Sequence, residues 1–134
     1  SLRLAAMRGV DVRVMIPERP DHLLVFLSAF SFLPDMLKAG VKIYRYQPGF
    51  LHQKVMLIDH SSATVGTVNL DNRSFRLNFE ITAFIPSADF ANDVATMLEA
   101  DFSKCRRVTL DEVNQRPMWK KVVSRAAYLM APVQ

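Results

Sequence analysis

The spacing of apolar and polar positions changes several times along this chain, and each change marks an element. Residues 2–8 carry a helical pattern that Gly9 ends. Over 10–16 the period drops to two. Val10, Val12, Val14 and Ile16 alternate with Asp11, Arg13 and Met15, which predicts a strand stopped at Pro17. Residues 23–31 predict a mostly apolar helix, and Pro34 predicts a fresh start as a short helix closed by Gly40. Residues 41–46 predict a second strand, followed by a turn at Gln47-Pro48-Gly49-Phe50. The run Val55-Met56-Leu57-Ile58 predicts a buried strand, with 63–65 as its hairpin partner. Alternation returns over 78–85. Ser87 then caps a predicted helix with Phe90, Val94, Met97, Leu98 and Phe102 on one face. Thr109 and Glu112 form a candidate capping box, and Pro117 opens a last helix with Trp119, Val122, Val123, Ala126 and Met130 on one side.

Strands alternating with helices predict an α/β fold, a mixed β-sheet flanked by helices. No repeat, low-complexity tract or linker interrupts the pattern, so residues 1–134 read as a single domain. The 134 residues are 50% hydrophobic, enough for an ordinary core. A net charge of +4 and a pI near 9.5 favour anionic partners without separating phospholipid headgroups from nucleic acid. The single cysteine, Cys105, excludes an intrachain disulfide and a thiolate-rich metal site, and reads as a plain core or surface thiol. The apolar run 23–33 is about half the roughly 20 residues a membrane span needs. Ser1-Leu2-Arg3-Leu4 runs straight into amphipathic sequence, unlike a secretory leader. The abrupt opening on helical sequence raises the expectation of a piece of a longer protein.

The chemistry is concentrated between residues 52 and 80. His52-Gln53-Lys54, then Asp59, then Gly66-Thr67-Val68-Asn69 follow one another at fixed spacing. On an extended backbone His52 and Lys54 share a face, as do Thr67 and Asn69. Two hairpin arms can thus bring an imidazole, an ammonium, a hydroxyl and an amide together. Such a set suits a phosphoryl group, with Lys54 neutralising charge and Thr67 and Asn69 donating to its oxygens. Gly66 permits either a close backbone approach or an unusual dihedral.

The pattern resembles the HKD motif of the phospholipase D superfamily, H-x-K-x4-D-x6-G-S/T-x-N. Segments 46–52 and 66–80 look like the C-terminal half of bacterial cardiolipin synthases, and the likeness runs from about Val10 through the final helix. Thr67 stands where that group usually has serine, a change that keeps the hydroxyl. The resemblance implies a phospholipase D-like half-domain, the C-terminal half of a longer two-motif enzyme. Its catalytic set would be His52, Lys54, Asp59 and Glu80, with Lys54, Thr67 and Asn69 on the substrate phosphate. Glu80 would orient the reactive histidine through Nδ1–H, as a triad carboxylate does. The family mechanism is double displacement. One histidine forms a phosphohistidine, and the histidine of a second HKD motif protonates the leaving alcohol. The implied substrate is phosphatidylglycerol, two molecules giving cardiolipin and glycerol. The implied partners are a second HKD half, in the same chain or a homodimer, and a bacterial membrane surface. No metal and no other cofactor are implied.

Plainer roles stand beside these. Asp59, following Ile58 at the motif's far end, favours a structural task at a strand end. Glu80 competes between the histidine and a local ion pair with Arg73 or Arg76. His60 reads as solvated in a turn and His22 as a helix-start residue, and the three histidines lack zinc-site spacing. Asp71, Arg73 and Arg76 divide evenly between headgroup contact and holding a loop. Arg116, Lys120, Lys121 and Arg125 lie opposite the last helix's apolar face and suit an anionic membrane, although Trp119 packing on the sheet is the better reading. Two further functions remain open. One is a nucleic-acid phosphodiesterase working as a single-motif homodimer, against which no basic stripe with interleaved aromatics is found. The other is a lipid-binding scaffold without turnover.

Overall fold

The computed structural model describes residues 1–19 and 23–115. His22 and the helix expected from Pro117 onward lie outside the described residues. In chain order the elements are α1 (Leu2–Met7), β1 (Arg13–Pro17), α2 (Leu23–Lys38), β2 (Lys42–Tyr46), β3 (Val55–Ile58), β4 (Ser62–Gly66), α3 (Asn72–Arg76), β5 (Thr82–Ile85), α4 (Ala88–Phe102), β6 (Cys105–Arg107) and α5 (Leu110–Asn114).

The α/β architecture is the expected one, with the strands divided between two sheets. β1 and β2 run parallel from Arg13↔Lys42 to Pro17↔Tyr46, and α2 supplies the crossover that parallel pairing requires. β6 joins the far side of β2 in antiparallel fashion, so the first sheet is mixed, in the order β1-β2-β6. β3, β4 and β5 form an antiparallel meander.

Alternation decides which side chains make the core. Val41 and Ile43 are 2% and 1% exposed and cluster with Leu33 of α2, Val108 and Val113. Val12, Val14 and Ile16, spaced by two, bring one face of β1 against that cluster. Tyr44 points the other way and meets Phe102 of α4 edge-to-face at 4.9 Å. α4 seats closely on β4 because Ala63 and Ala91 are both small and fully buried. An ion-paired cluster ties the first sheet's edge together. Buried Arg45 on β2 meets Glu18 at 2.9 Å, and Arg106 on β6 holds Glu112 of α5 at 2.6 Å.

Several expectations change in detail. Pro34 lies inside α2 and does not restart it. The lost intrahelical bond is tolerated because Leu33, Met36 and Leu37 hold the same stretch in the core. β3 is half-buried, with Met56 and Ile58 exposed, because α4 covers only one face of the meander. The strand expected from residue 78 begins only at Thr82. Thr109 caps α5 by accepting Glu112 N–H at 3.3 Å, and the Glu112 carboxylate accepts from Arg106. β6, three residues rich in charge, carried no alternation to find it by.

Gly66 is where the meander is tightest. Its N–H donates to Lys54 O at 3.1 Å, and the next N–H, of Thr67, donates to Ile81 O at 2.9 Å. A Cβ built on Gly66 would lie 2.5 Å from both Ile81 O and Thr82 Oγ1 and 2.7 Å from Thr82 Cα. Close approach is therefore what requires glycine here, and not a left-handed dihedral. Gly66→Ala is expected to lower stability by about 1–3 kcal/mol, since two of the three atoms it strikes are backbone. Urea unfolding measures this, and an unchanged midpoint would show that the 80–82 backbone yields freely.

Candidate active site

An antiparallel meander brings the start of its first strand, the end of its second and the start of its third to one edge. Here that edge gathers His52 and Lys54 leading into β3, Gly66, Thr67 and Asn69 leaving β4, and Glu80 and Ile81 leading into β5. The opposite edge is the β3–β4 turn. Ser61 N–H donates to Ile58 O at 3.0 Å, and Asp59 and His60 take φ of 49° and 52°, the pair of positive values a type I′ hairpin turn uses. Aspartate and histidine are among the few non-glycine residues that enter this region readily.

Lys54 folds back on its own segment, its Nζ donating to the His52 carbonyl at 2.9 Å. Gln53, on the other side of the extended segment, donates to Asp101 of α4 at 3.2 Å and anchors the lead-in. Thr67 is held by Ile81, whose N–H donates to its Oγ1 at 3.0 Å. Glu80 is the electrostatic centre of this edge. The Thr67 hydroxyl, then the Asn78 amide, hold its carboxyl below the usual glutamate range; a small desolvation cost works the other way, and Ser74 and the Lys54 charge add to the lowering. Asn78 Nδ2 donates to Glu80 Oε1 at 3.1 Å. The carboxylate is thus kept ionised beside an ammonium.

The edge brings together Lys54, Thr67 and Glu80, with His52 two residues before Lys54 and the exposed Asn69 two after Thr67. Asp59 lies at the other end of β3, five residues and about 16 Å of strand from Lys54. Its position is that of a turn residue, in keeping with the structural task its place in the sequence favoured. His60 shares that turn and lies 3.2 Å from Asn92 of α4 through Nδ1. Asp71 caps α3 by accepting Ser74 N–H at 2.7 Å, so it holds the loop. The contacts of Glu80 run to Thr67 and Asn78, while the imidazole of His52 lies against the Phe50 ring, centroids 5.3 Å apart and planes within 16°. Phe50 and Asn78 were not among the expected site residues. Both precede a site residue by two, and the period-two spacing that pairs His52 with Lys54 would have found them.

The family model for the cardiolipin synthase, PLD-like domain matches residues 1–104. The chain belongs to this family. The PLD-like domain is 48% identical over 133 residues to cardiolipin synthase A of Pseudomonas putida strain W619, covering 99% of this chain and 28% of that protein. It is 47% identical to cardiolipin synthase A of Pseudomonas fluorescens over the same share, and to that of Pseudomonas aeruginosa strain LESB58 over 27% of its length. The chain therefore spans a little over a quarter of the curated relatives it matches. A crystal structure of a phospholipase D family member, Nuc from Salmonella typhimurium, has the same fold, with a TM-score of 0.69 over 80% of this chain and 70% of that one at 19% identity. Among the described residues of the PLD-like domain, no helix is long and apolar enough to cross a membrane.

The lowered pKa of Glu80 has a stability consequence of definite sign. A carboxyl whose folded pKa is lowered stabilises the fold above its unfolded value, and that contribution drains away as pH falls through the folded value. The gap in thermal stability between the PLD-like domain and its Glu80→Gln variant is expected to be constant near neutrality and to narrow below the ordinary glutamate value of 4.5. Thermal melts from neutral to strongly acid pH check this. A gap that stays constant throughout would show that the charge contributes nothing.

Proposed function

We propose that this domain is one catalytic lobe of a phosphatidyltransferase that makes cardiolipin from two phosphatidylglycerols. The observation that carries the reading is the gathering of His52, Lys54, Thr67, Asn69 and Glu80 at one edge of the meander, in a chain 48% identical to a cardiolipin synthase A. One histidine of the pair formed by His52 and the histidine of a second motif attacks phosphorus, the bond from phosphorus to the glycerol oxygen breaks, and the alkoxide takes a proton from the other. The hydroxyl of a second phosphatidylglycerol then attacks the phosphohistidine and gives its proton to that other histidine, and the nitrogen–phosphorus bond breaks. The net products are cardiolipin and glycerol. Lys54 neutralises charge on the phosphoryl oxygens, and Asn69 donates to them. Thr67 has a single hydroxyl proton, for which the Ile81 carbonyl, Glu80 and the substrate phosphate compete. Asp59 acts through the hairpin turn and not on substrate.

A second lobe is required because one imidazole cannot be both nucleophile and acid to the same leaving group. Two observations support a lobe that packs against this one. The chain spans 28% of its relatives. Phe50, Leu70, Phe75, Leu77, Phe79 and Ile81, all within or beside the segments that carry the site, are exposed apolar side chains, the kind of surface a packing partner covers. The assembly would work at a bacterial membrane surface, where its substrate lies.

His52→Ala is expected to abolish phosphatidyl transfer in the assembly carrying both motifs. Lys54→Ala and Asn69→Ala should each slow it on the order of 10²–10³-fold, about 3–4 kcal/mol. Near wild-type turnover by His52→Ala would remove the assignment. The 134-residue chain, held monomeric by dilution, should turn over neither phosphatidylglycerol nor a single-stranded oligonucleotide until the remainder of the protein is added in trans. Activity rising with the square of concentration would favour a homodimer, oligonucleotide cleavage would favour the phosphodiesterase, and headgroup binding without turnover would favour a scaffold.

A further inference from the structure

The Phe50 ring is 65% exposed, yet one of its faces is occupied by the imidazole of His52 in a nearly parallel stack, 5.3 Å between centroids and 16° between planes. The local chain sets up this contact. Gly49, at φ 146°, turns the backbone out of the loop after β2, and the segment then runs extended into β3. Alternation sends Leu51 inward, half-buried, and places Phe50 and His52 side by side on the same face.

An exposed imidazole otherwise turns freely about its Cβ–Cγ bond, and a reacting nitrogen must keep one direction. Among the described residues, the ring lying against His52 is that of Phe50. We propose that Phe50 is a positioning residue for His52, holding the imidazole plane while leaving both ring nitrogens open at the edge. The geometry fits this role. Ring nitrogens lie in the plane of the imidazole, so a neighbour stacked on its face restricts rotation without covering either of them. The aromatic face also attracts the positive charge that the ring gains when its nitrogen is phosphorylated or protonated. The functional part of this proposal rests on His52 being the reactive imidazole.

The test has two arms that fail separately. In the labelled 134-residue chain, the ring protons of His52 should be displaced upfield by the Phe50 ring current, and Phe50→Leu should remove the displacement while leaving distant amide signals in place. In the assembly carrying both motifs, Phe50→Leu should lower kcat about tenfold with KM held within about twofold, the loss of one aromatic contact in the reacting state. Phe50→Tyr, which keeps the ring, should restore both the ring-current displacement and kcat. His52 signals that do not change on Phe50→Leu would overturn the stack. Wild-type kcat in Phe50→Leu, or a loss in KM alone, would overturn the positioning role. Turnover surviving His52→Ala would overturn the reading of His52 and leave the ring-current result standing.

Discussion

The register of the β3–β4 hairpin is the constraint on which the site depends. Val55 faces Val65, Ile58 faces Ser62, and the positive φ of Asp59 and His60 closes the turn between them. With side chains alternating every residue, a slip of one position would turn one strand over, taking Leu57 or Ala63 away from α4 and moving Lys54 off Gly66. Ala63 has no exposed surface and α4 rests on it, so the slip would also open the core. Site and packing are thereby tied to one register, and the acidic residue of the motif lies in the turn that closes it.

The third strand adds what a hairpin alone cannot. Bringing β5 beside β4 puts the Ile81 amide on the Thr67 hydroxyl and the Glu80 carboxylate within reach of Thr67, Asn78 and the Lys54 charge. Only glycine at 66 lets the 81–82 backbone come that close. The consequence is electrostatic. An ionised carboxylate stays beside the Lys54 ammonium, so the edge is not a bare cluster of positive charge. Lys54 is further restrained by the His52 carbonyl, which ties its side chain to the backbone two residues before it.

The first sheet serves the site at a distance. Its buried Val41 and Ile43, the Arg45–Glu18 pair and the Arg106–Glu112 pair fix the end of β2, from which the chain turns through Gly49 into the motif. α4 spans both sheets, touching Tyr44 through Phe102, Gln53 through Asp101 and the hairpin turn through Asn92. One helix therefore holds the lead-in to the site, and the turn that sets its register, to a single scaffold.

Sequence alone determined the elements whose signal is local. Alternation marked β1 and β2, Ser87 and Thr109 marked the starts of α4 and α5, and the spacing from His52 to Asn69 marked the chemistry, because each depends on residues a few positions apart. Tertiary structure decided what depends on distant neighbours. Pro34 stays within a helix because the core holds the turns around it, and β6 exists because β2 offers an edge to its three residues. Whether Gly66 serves a dihedral or a close approach was open until the 81–82 backbone lay beside it. Glu80 had candidate partners in His52, Arg73 and Arg76. The meander adds Thr67 and Asn78 to these, since β5 pairs with β4.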